Sequence, residues 1–361
     1  MNFFRIICQL DDDELLEYLH DEIQGKGRHN ELVEWGNSSN EPNVLQFALQ
    51  VKKSTKIILK LIEIGGRDLV MSIDDDLCTT LYYACISRYP TTIITKLIEV
   101  GGRELVLAKD KNGNNTVLHC ASAYGASIES ISKLIESGGS ELLIEKDGPG
   151  YAALHHGYFF HYSSSTFDDR FTLLVREGIL ARVGGEFGIG GLFHSAPPGD
   201  EKGVLQNNIY KKWEDFVPLL ETALASLEKQ PPILHAAIIA KAPQNIIKDI
   251  IQRFDCISSK DSLNRQPIDV AIGESLGWYE GIRDIIVATA TSLQRPVLHI
   301  AAQYGLKWSN GLQELVELDA EEVVGGQDCL TNLRLFMVCA MGNDSDLSSV
   351  YGMMKMSPEL K

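Results

Sequence analysis

The chain has 361 residues and a mass of 40.0 kDa, is 44% apolar and 23% charged, and sets 33 Lys and Arg against 49 Asp and Glu for a net charge of -16. The acidity is spread along the chain, which disfavours a nucleic-acid partner, since phosphate binding is driven by Lys and Arg. No apolar run approaches the roughly 18 to 20 residues that cross a bilayer, so no membrane span is expected.

Residues 1–40 predict a helix from Asp13 to Gln24, with Leu15, Leu16, Leu19 and Ile23 on one face, then a shorter turn around Leu32, Val33 and Trp35. They read as an N-terminal cap, because the first unit of a repeat array would otherwise expose its stacking face. From residue 41 a short pattern recurs. It is clearest in NTVLHCA (115–121), AALHHG (152–157), PILHAA (232–237) and PVLHIAA (296–302), and weaker in NVLQFA, TTLYYA, GGLFHSA, QPIDVA and RLFMVCA. Its apolar anchors are Leu45, Leu81, Leu118, Leu154, Leu192, Leu234, Ile268, Leu298 and Phe336, at spacings of 30 to 42 residues. A second pattern keeps the same period: STKIILKLIEIGG, TTIITKLIEVGG and ASIESISKLIESGG. Each places apolar residues at helical spacing behind a Ser or Thr cap and is expected to stop on a glycine in αL. Acidic segments such as SIDDDLCTT and AKDKNGNNT supply turn chemistry between units. Each unit therefore reads as turn, short helix, longer helix.

Residues 41–157 are regular, and 158–232 are irregular, with YSSSTFDD, the glycines 184, 185, 188, 190 and 191, the loop SAPPGDEKG and a helix from Trp213 to Leu227. Residues 233–361 resume the repeats and end in a closing cap, NDSDLSSVYGMMKMSPELK, read as a helix start and a polar tail.

In these residues the chain resembles the ankyrin-repeat family, whose unit of about 33 residues carries T-P-L-H-x-A at the start of its first helix. Thr116 with His119 keeps the Thr-to-His pair, Pro267 stands in the family's proline place, and Tyr82, Phe193, Asp269 and Met337 replace the histidine. The resemblance implies an all-α, ankyrin-type α-solenoid of stacked helix-turn-helix repeats joined by turn fingers. It further implies that the leucine enters the core and that the histidine bonds to the neighbouring turn.

No catalytic motif stands out, and no cofactor, catalytic residue or metal ligand is expected. His119, His155, His235 and His299 share one repeat offset, which suits a structural role better than a single ion. His156, His161 and His194 could meet if the fourth unit folds back. The glycine cluster lacks the lysine of a phosphate loop and reads as a helix stop and turn. Seven cysteines, at 8, 78, 85, 120, 256, 329 and 339, without a C-x-x-C pair, predict reduced thiols in an intracellular protein, cytoplasmic or else nuclear. The segment MNFFRIICQLDDDE is too short in its apolar part for a secretory signal.

The expected function is a monomeric, non-enzymatic scaffold or adaptor that binds another protein in a concave groove. Its contacts would come from turn tips, Asp75, Lys111, Asn112, Asn114 and Tyr151, and from first-helix faces, Tyr83, Tyr124 and Tyr304. Tyr151 is the expected anchor, while Tyr124 and Tyr304 equally fit packing between helices with only their hydroxyls wet. The alternatives are a ligand-sensing or catalytic module centred on 158–232 and a homotypic assembly element.

Overall fold

Two apolar residues behind a capping residue, repeated every thirty-odd positions, cannot bury themselves within one helix; they demand a partner helix in the next unit. The computed structural model describes residues 3–28, 32, 42–111, 113–160, 169–193, 210, 211, 213–273, 280–318, 327–341 and 346–356, and among these it is helical without a strand. Only isolated bridges, Lys109 with Thr116 and Gln327 with Arg334, close two of the turns. The chain forms an all-α array of helix pairs that divides into two compact units, one mainly residues 1–192 with 214–228, the other mainly 229–361.

In the first unit the short helices Val44–Gln50, Thr80–Ile86, Val117–Tyr124 and Ala153–Phe160 stack in one row. The longer helices Thr55–Met71, Thr91–Leu107, Ile128–Ile144 and Asp169–Leu180 stack in another. Leu45, Leu81, Leu118, Leu154 and Leu192 are buried between the rows. Helices Phe3–Gln9 and Asp12–Tyr18 pack on the first pair, with Phe4 edge-on to Phe47 at 4.5 Å. The helix expected over Asp13 to Gln24 is α-helical only to Tyr18 and widens to a π-turn over Leu19–Gln24, which keeps Leu19 and Ile23 buried. Leu32 is buried, and Val33 and Trp35 lie outside the described residues.

In the second unit Ile233–Ile239 packs on Pro267–Gly273, Gln244–Arg253 on Glu280–Leu293, and Val297–Gln303 on Leu335–Met341. Leu234, Ile268 and Leu298 are buried as expected; Phe336 is half-buried and its neighbour Leu335 takes the covered place. The last helix, Leu347–Met356, turns Ser349, Gly352 and Met353 inward. A Cβ on Gly352 would lie 2.7 Å from the Trp308 indole, so this crossing admits only glycine.

The long helices depart from expectation at their glycines. Gly66, Gly102 and Gly139 adopt φ of 56 to 72° with ψ of -149 to -167°, not αL but a region open essentially to glycine alone. The helix then resumes for a further turn, because Leu69, Leu105 and Leu142 lie beyond the break and are buried. Each of these three repeats thus holds a third helical segment. The preceding glycine is constrained by space: a Cβ on Gly101 would sit 2.5 Å from Leu105 Cδ2.

Arginines span the breaks. Arg67 Nη1 donates to the carbonyls of Val100 and Gly101 at 3.0 Å, and its Nη2 pairs with Glu104 at 2.9 Å. Arg103 does the same one repeat on, to Gly138 O at 3.1 Å and Glu141 at 2.6 Å. The third copy carries Ser140 instead.

Candidate functional site

Among the described residues, five turn fingers are each organised by an aspartate, Asp74, Asp110, Asp147, Asp261 and Asp328. The main-chain N–H of each donates to the residue that closes its turn. Its carboxylate then gathers the tip amides: Asp110 Oδ1 accepts from Gly113 and Asn115 at 3.1 and 2.9 Å, and Asp147 Oδ1 accepts from Gly150 and Tyr151 at 2.7 and 2.6 Å. In the first four the other oxygen takes a side chain, the Tyr83 hydroxyl at 2.6 Å, Asn115 Nδ2 at 3.0 Å, His156 Nε2 at 2.8 Å and Arg265 Nε at 2.8 Å in order, whereas Asp328 Oδ2 accepts both the Thr331 amide at 3.1 Å and Arg295 Nη2 at 2.7 Å. The residues recur at one place in the repeat because an Asx-type turn needs a short carboxylate there. Arg295 is bidentate and buried, and it holds Asp328 well below the usual carboxylate range.

Four histidines fasten the turn that follows to their own helix. His119 Nδ1 accepts from Thr116 N at 3.1 Å, closing the helix start, while Nε2 donates to Tyr151 O at 3.0 Å in the next turn. His155, His235 and His299 donate likewise to Gly191, Arg265 and Leu333 at 2.9 to 3.1 Å. Gln46 performs both tasks with its amide, accepting at Oε1 from Asn43 N and donating to Cys78 O at 2.9 Å. At Asp269 only the backward bond survives, from Gln266 N at 2.7 Å. Burial pushes His119 down to about 4, with His156 adding to the effect, and burial also lowers His299. The His119 and His299 rings are therefore neutral, each with its proton on the Nε2 that donates.

The fingers are also stitched side by side. Lys111 N donates to Asp76 O at 2.7 Å, and Gly148 N to Gly113 O at 2.5 Å. The second bond brings the tip of Lys111 and Asn114 beside that of Tyr151. Lys111 and Asn114 are exposed, and Asn114 sits at φ 53°. Asn112 lies outside the described residues. Tyr151 is half-buried with its ring 5.8 Å from that of His155, and its carbonyl is the acceptor for His119. Its role is thus partly architectural. Tyr83 turns its hydroxyl inward to Asp74, whereas Asp75 is exposed. Tyr124, 40% exposed, closes its helix about 10 Å from the finger end and offers its carbonyl to Arg88 at 2.6 Å. Tyr304 belongs to the second unit, half-buried, with its hydroxyl 3.1 Å from Gln266 Oε1.

Of the three histidines expected to meet, His156 is held by Asp147, and His161 and His194 fall outside the described residues. Among the described residues no group of His, Cys, Asp and Glu is arranged to hold a metal ion. The glycine cluster is seated on helix Asp169–Leu180: a Cβ on Gly190 would lie 2.8 Å from Val175 O, and Gly191 O is the acceptor for His155. All seven cysteines are free thiols, and burial holds Cys78, Cys85 and Cys256 up at about 12, far from a reactive thiolate.

Where Ser140 stands in the place of Arg67 and Arg103, a cleft of about 430 Å³ opens between helices Ile128–Ile144 and Asp169–Leu180, lined by Ile135, Leu143, Leu173 and Leu180. Its charged residues are engaged, Glu136 with Lys133 at 2.8 Å and Glu177 with Arg176 at 2.9 Å. Acid-base chemistry gains nothing from such satisfied pairs.

No family model matches the sequence, and no curated protein does. Among solved structures, one similar chain is the ankyrin repeat domain of Bcl-3, described as a unique member of the IkappaB protein family. It is 14% identical over 87% of this chain and 98% of that one, with a TM-score of 0.33. Among the described residues no single helix is long and apolar enough to cross a membrane.

Proposed function

We propose that this chain is a non-enzymatic scaffold or adaptor that binds another protein along its turn fingers, in a reducing compartment such as the cytoplasm. The observation that carries this reading is the finger geometry. Aspartate, histidine and backbone bonds occupy polar groups at the finger bases and join the Asp110 finger to both its neighbours, leaving side chains such as Lys111 and Asn114 exposed at the tips. Groups ordered before binding lose little entropy on association, so contacts made there convert efficiently into affinity. The free thiols fit a compartment that keeps cysteines reduced.

Affinity capture from native lysate, followed by mass spectrometry, supplies the partner, and a double variant tests the surface. Lys111→Glu with Asn114→Gly alters the tip without straining it, since glycine accepts the positive φ. Binding is expected to weaken roughly tenfold, or about 1.4 kcal/mol, at an unchanged melting temperature. Unaltered affinity, together with loss from Lys133→Glu on the outer helix Ile128–Ile144, would place the partner on the opposite face.

A further inference from the structure

The three long helices that break at glycine carry GGRDL, GGREL and GGSEL, and only the third lacks the arginine. Arg67 and Arg103 each reach across a seam to carbonyls beside the next glycine break and to a glutamate beyond it. At the third seam the cleft stands where that side chain would lie, with Ser140 in its wall. The rest of the wall suits what is missing. Ile135, Leu143, Leu173 and Leu180 offer apolar cover for a methylene stem, which arginine buries while its head stays wet. Glu136 and Glu177 stand in the same wall for the guanidinium. Lys133 takes only Oε2 of Glu136, and Arg176 only Oε1 of Glu177, so each carboxylate keeps a second oxygen for a guest. Both are surface pairs, which open at little cost. Helix Asp169–Leu180 also ends in the cleft, and the negative pole of a helix C-terminus favours a cation.

The guest comes from outside the chain. Arg176 is the one arginine in the wall, and it is turned onto its neighbour Glu177. The residues outside the described ones contain no arginine, so no further segment of this chain supplies one. A net charge of -16 draws a basic partner.

We propose that the Ser140 cleft is a docking site for an arginine side chain of another protein, which completes between two chains the stitch that Arg67 and Arg103 make within one. The site is distinct from the finger tips and stands whether or not they bind a partner. The probe is a blocked alanine-arginine-alanine tripeptide, titrated into the full chain and followed by the methyl resonances of Ile135, Leu143, Leu173 and Leu180. Saturable shifts are expected, and the lysine counterpart should bind roughly tenfold more weakly, since an ammonium cannot pair with a carboxylate through a fork. Ser140→Arg should fill the cleft from within, raising the melting temperature and abolishing the shifts. Glu177→Gln should weaken binding roughly tenfold at an unchanged melting temperature, and it carries the test should Ser140→Arg fold poorly. No saturable shift, equal binding of the lysine peptide, undiminished binding in a folded Ser140→Arg, or unchanged affinity in Glu177→Gln would each overturn the proposal. Free arginine binding as tightly as the tripeptide would overturn the assignment to a protein partner.

Discussion

At the scale of single residues, His119 ties a charge state to folding. In the folded chain it titrates near 4, and in the unfolded chain near 6.5, so between these values the unfolded state holds the extra proton. Its contribution is complete above about pH 6.5 and declines toward pH 4, by an amount on the order of 3 kcal/mol. His119→Gln should cost about 1 kcal/mol at neutral pH, since Gln46 shows that an amide makes both bonds, and should flatten the acid limb of the stability curve. Urea midpoints from pH 7 to pH 4 measure both effects; an identical slope in the variant would place the titration elsewhere. Asp328 is held below its ordinary range, so its stabilisation is present above about pH 4 and fades below it. Asp328→Asn leaves the buried Arg295 guanidinium without its counter-charge and should cost about 3 kcal/mol or more in the same assay.

At the scale of elements, leucine and glycine set opposite demands. Leu118→Ala should cost about 2 to 5 kcal/mol, because the void lies between two helix rows that cannot close on it. Gly102→Ala should cost about 1 to 3 kcal/mol although nothing crowds the site within 3.9 Å, because the backbone there excludes a Cβ. A neutral Gly102→Ala in denaturant titration would show that the break can relax into continuous helix. The leucine and histidine period was legible in the sequence, since both recur at a fixed offset and their partners follow from stacking. The finger aspartates are legible in the sequence only as turn residues, because an acid that gathers amides and an acid that faces water look alike there. Arg67 and Arg103 gave no signal either, for their acceptors lie 33 to 38 residues ahead. The place of Tyr151 at a tip suggests an outward anchor; its carbonyl's bond to His119 arises only once that tip folds against the preceding helix.

At the scale of the whole molecule, contacts made between neighbouring repeats make cooperativity a property of each compact unit. Leu118→Ala and Leu298→Ala should therefore move different parts of a urea transition followed by far-UV dichroism, and a single transition shifted equally by both would show one cooperative array. The spectrum itself should be dominated by helix. The arginine stitches have a further consequence through their end at Ser140. Helices Thr91–Leu107 and Ile128–Ile144 each receive a guanidinium from the repeat before them, whereas Asp169–Leu180 faces a serine across an open seam. In deuterated buffer its amides should exchange ahead of those two helices, so that the first unit comes apart like cloth at a dropped stitch, from within rather than from its hem.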